Sequence, residues 1–121
     1  MPVRKSFLFI LRRPPHGGIH AQEALDIILT TAAFDQTVRL LFIDDGVFQL
    51  QRDQRPETID FKHIAPIFGA LELYDIEELW VEEESLRERG IKVERLIMPV
   101  RLVARCDLAA LMEVQDVVVS C

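Results

Sequence analysis

The stretch Val38-Arg39-Leu40-Leu41-Phe42-Ile43 runs directly into Asp44-Asp45-Gly46-Val47-Phe48-Gln49-Leu50, and that junction decides the fold class. Six residues that are apolar everywhere but Arg39 suit a parallel strand covered on both faces, since neither face is left for solvent. Two carboxylates and a glycine then stop the run. Asp and Gly commonly end strands, the first through side-chain bonds to nearby backbone and the second through its freedom at positive φ. A strand-ending turn with Gly46 at a special φ is therefore expected here.

Upstream, Ala21, Ala24, Leu25, Ile28, Leu29 and Ala32 fall at i, i+3, i+4, i+7, i+8 and i+11, with Gln22, Glu23 and Asp26 outside the stripe. This is the spacing of one buried helix face, and a helix is predicted from near Ile19. Before it, Ser6 to Leu11 is again nearly all apolar, and Pro14-Pro15 with Gly17-Gly18 mark a turn. Two buried strands joined by one amphipathic helix predict a right-handed βαβ unit.

Downstream, the polar residues 51 to 60, with Pro56, predict a loop. A second helix is expected to carry Phe61, Ile64, Phe68 and Leu71 on one face, with Pro66 delaying or kinking it. Leu79-Trp80-Val81 is a third strand. Ser85-Leu86-Arg87-Glu88-Arg89-Gly90 is a short helix closed by glycine. Leu96 to Val103 is extended, and Pro99 marks it as an edge or bulged strand. Asp107 is expected to cap a last helix through Leu108, Leu111 and Met112, and Val117-Val118-Val119 closes the sheet. The alternation predicts one α/β domain over residues 1–121: a mostly parallel five-stranded sheet with helices on both faces, broadly flavodoxin-like.

Composition narrows the function. The chain has 121 residues, half of them hydrophobic, and a net charge of −6. That is core enough for one domain. It is the wrong charge for a generic nucleic-acid binder, and no basic run exceeds Arg12-Arg13. No apolar run approaches the ~20 residues of a membrane span. Phe7-Leu8-Phe9-Ile10-Leu11, after Arg4 and Lys5, is too short for a secretion-signal core, so a cytoplasmic protein is expected. The two cysteines, Cys106 and Cys121, form neither a CxxC pair nor a metal-ligand spacing.

In such folds ligands meet the carboxyl ends of the strands, where Asp44 and Asp45 stand. Paired carboxylates could hold Mg²⁺ or serve as acid and base, against the plainer reading of a turn. A phosphoacceptor domain would also need an Asp on the third strand, where this chain has Glu82, and a Lys near the fifth, where it has none. The loop Pro14-Pro15-His16-Gly17-Gly18 lacks both GxGxxG and GxxxxGK[ST]. His16 and His20 have no third metal ligand, and His63 is expected to face solvent. Glu82-Glu83-Glu84 reads as favourable charge at a helix start. Cys106, beside a helix start, could be a reactive thiol or a small core residue. Cys121 continues a strand. Phe48 beside Leu50 is expected to form an exposed contact patch for another subunit.

Taken together and in order, Pro15-His16-Gly17, Asp45-Gly46-Val47-Phe48-Gln49-Leu50, Leu73-Tyr74-Asp75-Ile76-Glu77 and Ser85-Leu86-Arg87-Glu88-Arg89-Gly90 resemble the TusC/DsrF branch of the DsrE/DsrF/DsrH sulfur-relay family. The resemblance spans nearly the whole chain. It implies a cytoplasmic heterohexamer with TusB/DsrH-like and TusD/DsrE-like partners. That assembly would take persulfide sulfur from a carrier protein, for 2-thiolation of the tRNA wobble uridine or for intracellular sulfur oxidation. It also implies that the relay cysteine of the DsrE/TusD-like subunit corresponds here to Glu82. A carboxylate cannot hold a persulfide, which needs a thiolate. The expected role is a non-catalytic subunit with no cofactor, no metal and no direct nucleic-acid contact; the rivals are a sulfurtransferase acting through Cys106 and a standalone nucleotide- or anion-binding flavodoxin-like module using the loop at residues 14 to 18.

Overall fold

A computed structural model describes residues 4–13, 20–50, 71, 74, 76, 78–96 and 99–120. The five strands are β1 (Ser6–Leu11), β2 (Thr37–Phe42), β3 (Glu78–Glu82), β4 (Arg101–Val103) and β5 (Val117–Ser120). The helices among the described residues are α1 (His20–Ala33), α2 (Glu83–Glu88) and α3 (Leu108–Glu113), with 3₁₀ turns at Asp44–Leu50, Val93–Arg95 and Arg105–Asp107. The expected second helix falls outside the described residues except for Leu71, which is buried.

All strand pairs are parallel and the order is β4-β3-β2-β1-β5. The expected class, a parallel sheet covered by helices on both faces, is borne out. The order itself is not the 2-1-3-4-5 of flavodoxin. It steps one way from β1 to β4 and then jumps back to place β5 beside β1. Right-handed crossovers that step one way lie on one face, and the return crossover lies on the other.

The core divides accordingly. Phe9, Leu11, Leu40, Phe42, Leu79 and Val81 face α1 and α2, packing with Ala24, Leu25, Ile28 and Leu86. The alternate residues Leu8, Ile10, Leu41, Ile43 and Val103 face α3, against Leu108, Leu111 and Met112. The period-2 alternation of strand side chains thus supplies both layers from one near-continuous apolar run.

Three local expectations change. Asp44, not Gly46, takes the left-handed backbone, at φ 50. Gly46 is required for another reason: a Cβ there would lie 1.9 Å from the Leu11 carbonyl oxygen. Phe48 is no open patch either. The Asp44–Leu50 turn folds back over the end of β1, its Gln49 Nε2 donating to the Arg13 carbonyl at 2.8 Å. Val47 and Leu50 are fully buried and Phe48 packs partly buried against the first core. Finally, Asp107 does not cap α3 with its side chain. It already has helical backbone at the end of the 3₁₀ turn, where its N–H donates to Ala104 O at 2.9 Å.

Gly90 behaves as expected. It sits at φ 66 just past α2, while Ile91 N–H reaches back to Leu86 O at 2.9 Å and Gly90 N–H to Arg87 O at 3.2 Å. This paired closure of a helix end needs a left-handed residue at Gly90, where glycine costs least.

Candidate functional site

At the carboxyl end of β3 the chain turns at Glu82 (φ −69, ψ 120) into α2. The glutamate neither caps that helix nor meets solvent; the residue is only 3% exposed. Its Oε1 accepts from the Ser85 hydroxyl and, at 2.9 Å, from Arg105 Nη2. The Ser85 oxygen in turn accepts the Asp44 N–H at 2.9 Å. One carboxylate therefore links the ends of β2 and β3 to the turn after β4.

Arg105 gathers three acidic residues. Its guanidinium also donates to Glu88, with Nη2 at 2.9 Å and Nη1 at 3.3 Å, and its backbone N–H donates to Glu84 Oε1 at 2.9 Å. Burial by itself would raise the Glu82 carboxyl. The hydrogen bonds from Arg105 and Ser85, with the Arg105 charge, outweigh it and hold the group below its ordinary value. Glu88 is lowered chiefly by its bond from Arg105, and Arg105 is raised by its bonds to Glu82 and then Glu88.

Asp44 and Asp45 share no ligand. Asp44 Oδ2 accepts from Arg12 Nη2 at 3.2 Å, and Asp45 Oδ1 accepts from Arg89 Nε at 3.0 Å. Each carboxylate engages its own arginine, which fits a structural turn rather than an acid–base pair. Arg89 also donates to Ser85 O at 3.3 Å, so α2 is pinned at both its start and its end.

Cys106 is exposed on the Arg105–Asp107 turn and is not in a disulfide. The loop at residues 14–18, with His16, lies outside the described residues, as do His63 and Cys121; His20 opens α1. Sequence reasoning singled out Glu82, Asp44, Asp45 and Cys106 but missed Arg105 and Ser85 as partners of Glu82. Ser85, three residues on across one helical turn, carried a readable signal. Arg105, 23 residues away, carried none.

The fold and this end of the sheet define a small three-layer α/β protein with an all-parallel sheet whose strand ends are closed by intrachain ion pairs. The chain belongs to the DsrE/DsrF-like family, whose model matches residues 5–121. It is 41% identical over 95 residues to the intracellular sulfur oxidation protein DsrF of Allochromatium vinosum, covering 78% of this chain and 70% of that one. It is 40% identical over 118 residues to a TusC homolog of Pseudomonas aeruginosa, covering 98% and 99%. With the TusC protein of Escherichia fergusonii it shares 42% over 87 residues, covering 72% and 73%. The crystal structure of the ychN protein from E. coli matches with a TM-score of 0.76 at 20% identity, over 98% of this chain and all of that one. At that identity the likeness is one of fold. The resemblance drawn from the sequence motifs is borne out at the level of the family.

Proposed function

We propose that this chain is a non-catalytic structural subunit of a TusBCD/DsrEFH-like heterohexameric sulfurtransferase in the cytoplasm. It would act with TusB/DsrH-like and TusD/DsrE-like partners. The assembly serves sulfur relay, for tRNA wobble-uridine thiolation or for intracellular sulfur oxidation, the two processes to which its TusC- and DsrF-named relatives point. The observation that carries the non-catalytic role is Glu82. The residue at the end of β3 is a carboxylate, buried and held ionised by Arg105 and Ser85. A sulfur carrier needs an accessible thiolate, and this position supplies neither the sulfur nor the access.

The test is to tag the chain in its native host, purify it gently and record a native mass spectrum. Two small related proteins in equal amounts, one with a cysteine at the position of Glu82, are expected. A lone homo-oligomer would overturn the reading.

A second reading rests on the exposure of Cys106: the chain passes sulfur through its own thiol. Cys106→Ser separates the two. Under the leading reading the assembled complex keeps full sulfur transfer with the variant subunit, and a loss of transfer would favour the second.

A further inference from the structure

The sheet ends in two edge strands, and the chain guards them unequally. β4 is three residues long, begins two residues after Pro99 and carries Arg101, whose guanidinium lies over Trp80 and 3.9 Å from Glu78. A short strand, a proline and a charged side chain are the usual means of stopping an edge from pairing further. β5 forms the other edge with Val117-Val118-Val119-Ser120, which holds no charge and no proline. It pairs with β1 alone, so among the described residues no strand lies along its outer edge. Asp116, just before it, does not guard that edge. Its carboxylate is turned inward to β1, where it accepts the Ser6 N–H at 2.8 Å.

The side chains of β5 are not fully covered either. Val119, beside Phe9, packs partly buried on the first core, and Val118, beside Leu8 on the other face, is 42% exposed. β-Branched residues suit a pleated surface and gain from a β-branched neighbour directly across. The run itself says what fits there. Its three valines stand between Asp116 and Ser120, so it reads the same in both directions: polar, three valines, polar. An antiparallel copy centred on Val118 sets Val118 against Val118 and Val117 against Val119. Centring one residue earlier sets Val118 against Asp116, and one residue later sets it against Ser120. The Val118 register alone keeps every valine against a valine, and it keeps the two Asp116 carboxylates apart.

We propose that β5 is a docking edge for a second copy of this chain, the two β5 strands pairing antiparallel about a two-fold axis at Val118 and joining two sheets into one. A contact between identical patches closes on itself, so it stops at two copies. The guarded β4 edges then stand outermost, and neither end of the joined sheet invites a further strand. This inference does not rest on the sulfur-relay reading: the pair can form from the chain alone or inside an assembly that holds the chain twice.

The test uses the full chain carrying Cys106→Ser and Cys121→Ser, to which Val118→Cys or Ser120→Cys adds a single thiol. In the proposed register the two 118 positions face each other with Cα atoms about 4.5–5.5 Å apart, within reach of a disulfide. Ser120 faces Asp116, so the two 120 positions lie about 13 Å apart along the strands, beyond that reach. Diamide should therefore link Val118→Cys chains about tenfold faster than Ser120→Cys chains, or more. Sedimentation of the unaltered chain should show a dimer that grows with concentration. Val118→Lys sets two like charges against each other and should weaken that dimer about tenfold. Val118 is half-exposed, so the longer side chain can lie along the sheet with its charge in solvent, and circular dichroism checks the fold of each variant. A monomer at every concentration, equal linking rates at the two positions, or a folded Val118→Lys chain that pairs as well as the parent would each overturn the proposal.

Discussion

The two faces of the sheet are built by different means. On the face of α1 and α2 the layer is apolar and closed: Ile28, Val47 and Leu50 are fully buried over Phe9, Leu40 and Phe42. On the face of α3 no helix residue is fully buried: Leu108, Leu111 and Met112 are only partly buried where they pack on Leu8, Ile10 and Leu41, which are themselves buried. This layer also carries ties of charge. Arg105 ties the turn before α3 to Glu82, Glu84 and Glu88, Arg39 pairs with Glu78 and donates to Gln115, and the Arg101 guanidinium lies 5.6 Å from the Trp80 ring. Both layers rest on a buried apolar core, and the second adds stitches of charge around a partly buried helix. Val118, beside Leu8, and Val114, 74% exposed after α3, stand open to solvent on this side, as Ile27 and Phe34, 72% exposed, do on and after α1. An apolar surface of that kind is what a subunit offers to neighbours in an assembly.

The strongest way to break the comparison is at Gly46, on the tightly closed side. Gly46→Ala drives a methyl into the Leu11 carbonyl, and backbone cannot yield as a side chain end can. A loss of about 4 kcal/mol or more is expected, in the exceptional range for single substitutions. Urea denaturation checks it, and a loss near zero would mean that the Asp44–Leu50 turn is not seated on β1. Next in size is a helix-for-helix contrast. Ile28→Ala in α1 should cost about 2–5 kcal/mol, as buried large-to-small changes do. Leu111→Ala in α3, only half-buried, should cost about 1 kcal/mol or less in the isolated chain, since less apolar area leaves contact. Equal costs would erase the distinction between the faces. If α3 instead packs against a partner, the Leu111→Ala cost should grow in the purified complex.

The charge stitches give a smaller and asymmetric effect. Glu82→Ala should cost about 1–3 kcal/mol, because Ser85 and Arg105 lose an acceptor but Arg105 keeps Glu88 and solvent. Arg105→Ala should cost more than Glu82→Ala, because it strands a buried carboxylate. The double variant should then be less destabilised than the sum of the two single variants. Additive losses would show that Glu82 and Arg105 do not act as a pair.

The apolar half was largely legible in the sequence, and the stitched half was not. The stripe from Ala24 to Ala32 names its own buried face, because a helical period is a local property. Gly90 likewise announces the end of a helix only six residues long. Gly46 was singled out for the wrong reason. Its need for a bare Cα comes from the Leu11 carbonyl, 35 positions away in sequence (46 − 11), and no local pattern reports such an approach. The same holds at the candidate site. Glu82 was legible through family resemblance and Ser85 through helical spacing, but the arginine that holds Glu82 ionised arrives from another crossover. The exposed Phe48 failed for a related cause: the hydrophobic pattern does not say whether a turn leaves the sheet or folds back on it.

Acid is the gentlest probe of the difference between the faces. Glu82, Glu88 and Asp116 are all held below their ordinary values, the last by the Ser6 backbone N–H, at 2.8 Å, and the Ser6 hydroxyl. Groups lowered in the folded state bind protons more readily when unfolded. Their stabilisation is therefore complete above the unfolded values, about 4.3 for Glu and 3.9 for Asp, and is lost as pH falls through the lower folded values. Arg105 stays charged throughout, so the titrating partners are the carboxylates alone. Two of the three sit under Arg105, at the root of α3, and the third anchors the start of β5 beside Ser6. Acid should thus loosen the α3 layer before the α1 layer. Hydrogen exchange measured from pH 7 down to below pH 4 should show residues 101 to 120 losing protection ahead of β1 and β2. Glu82→Ala should flatten part of that dependence, having already lost one titrating tie. Simultaneous loss on both faces would mean that the sheet unfolds as one unit and that the stitches, though visible, do not set the order in which the layers come apart.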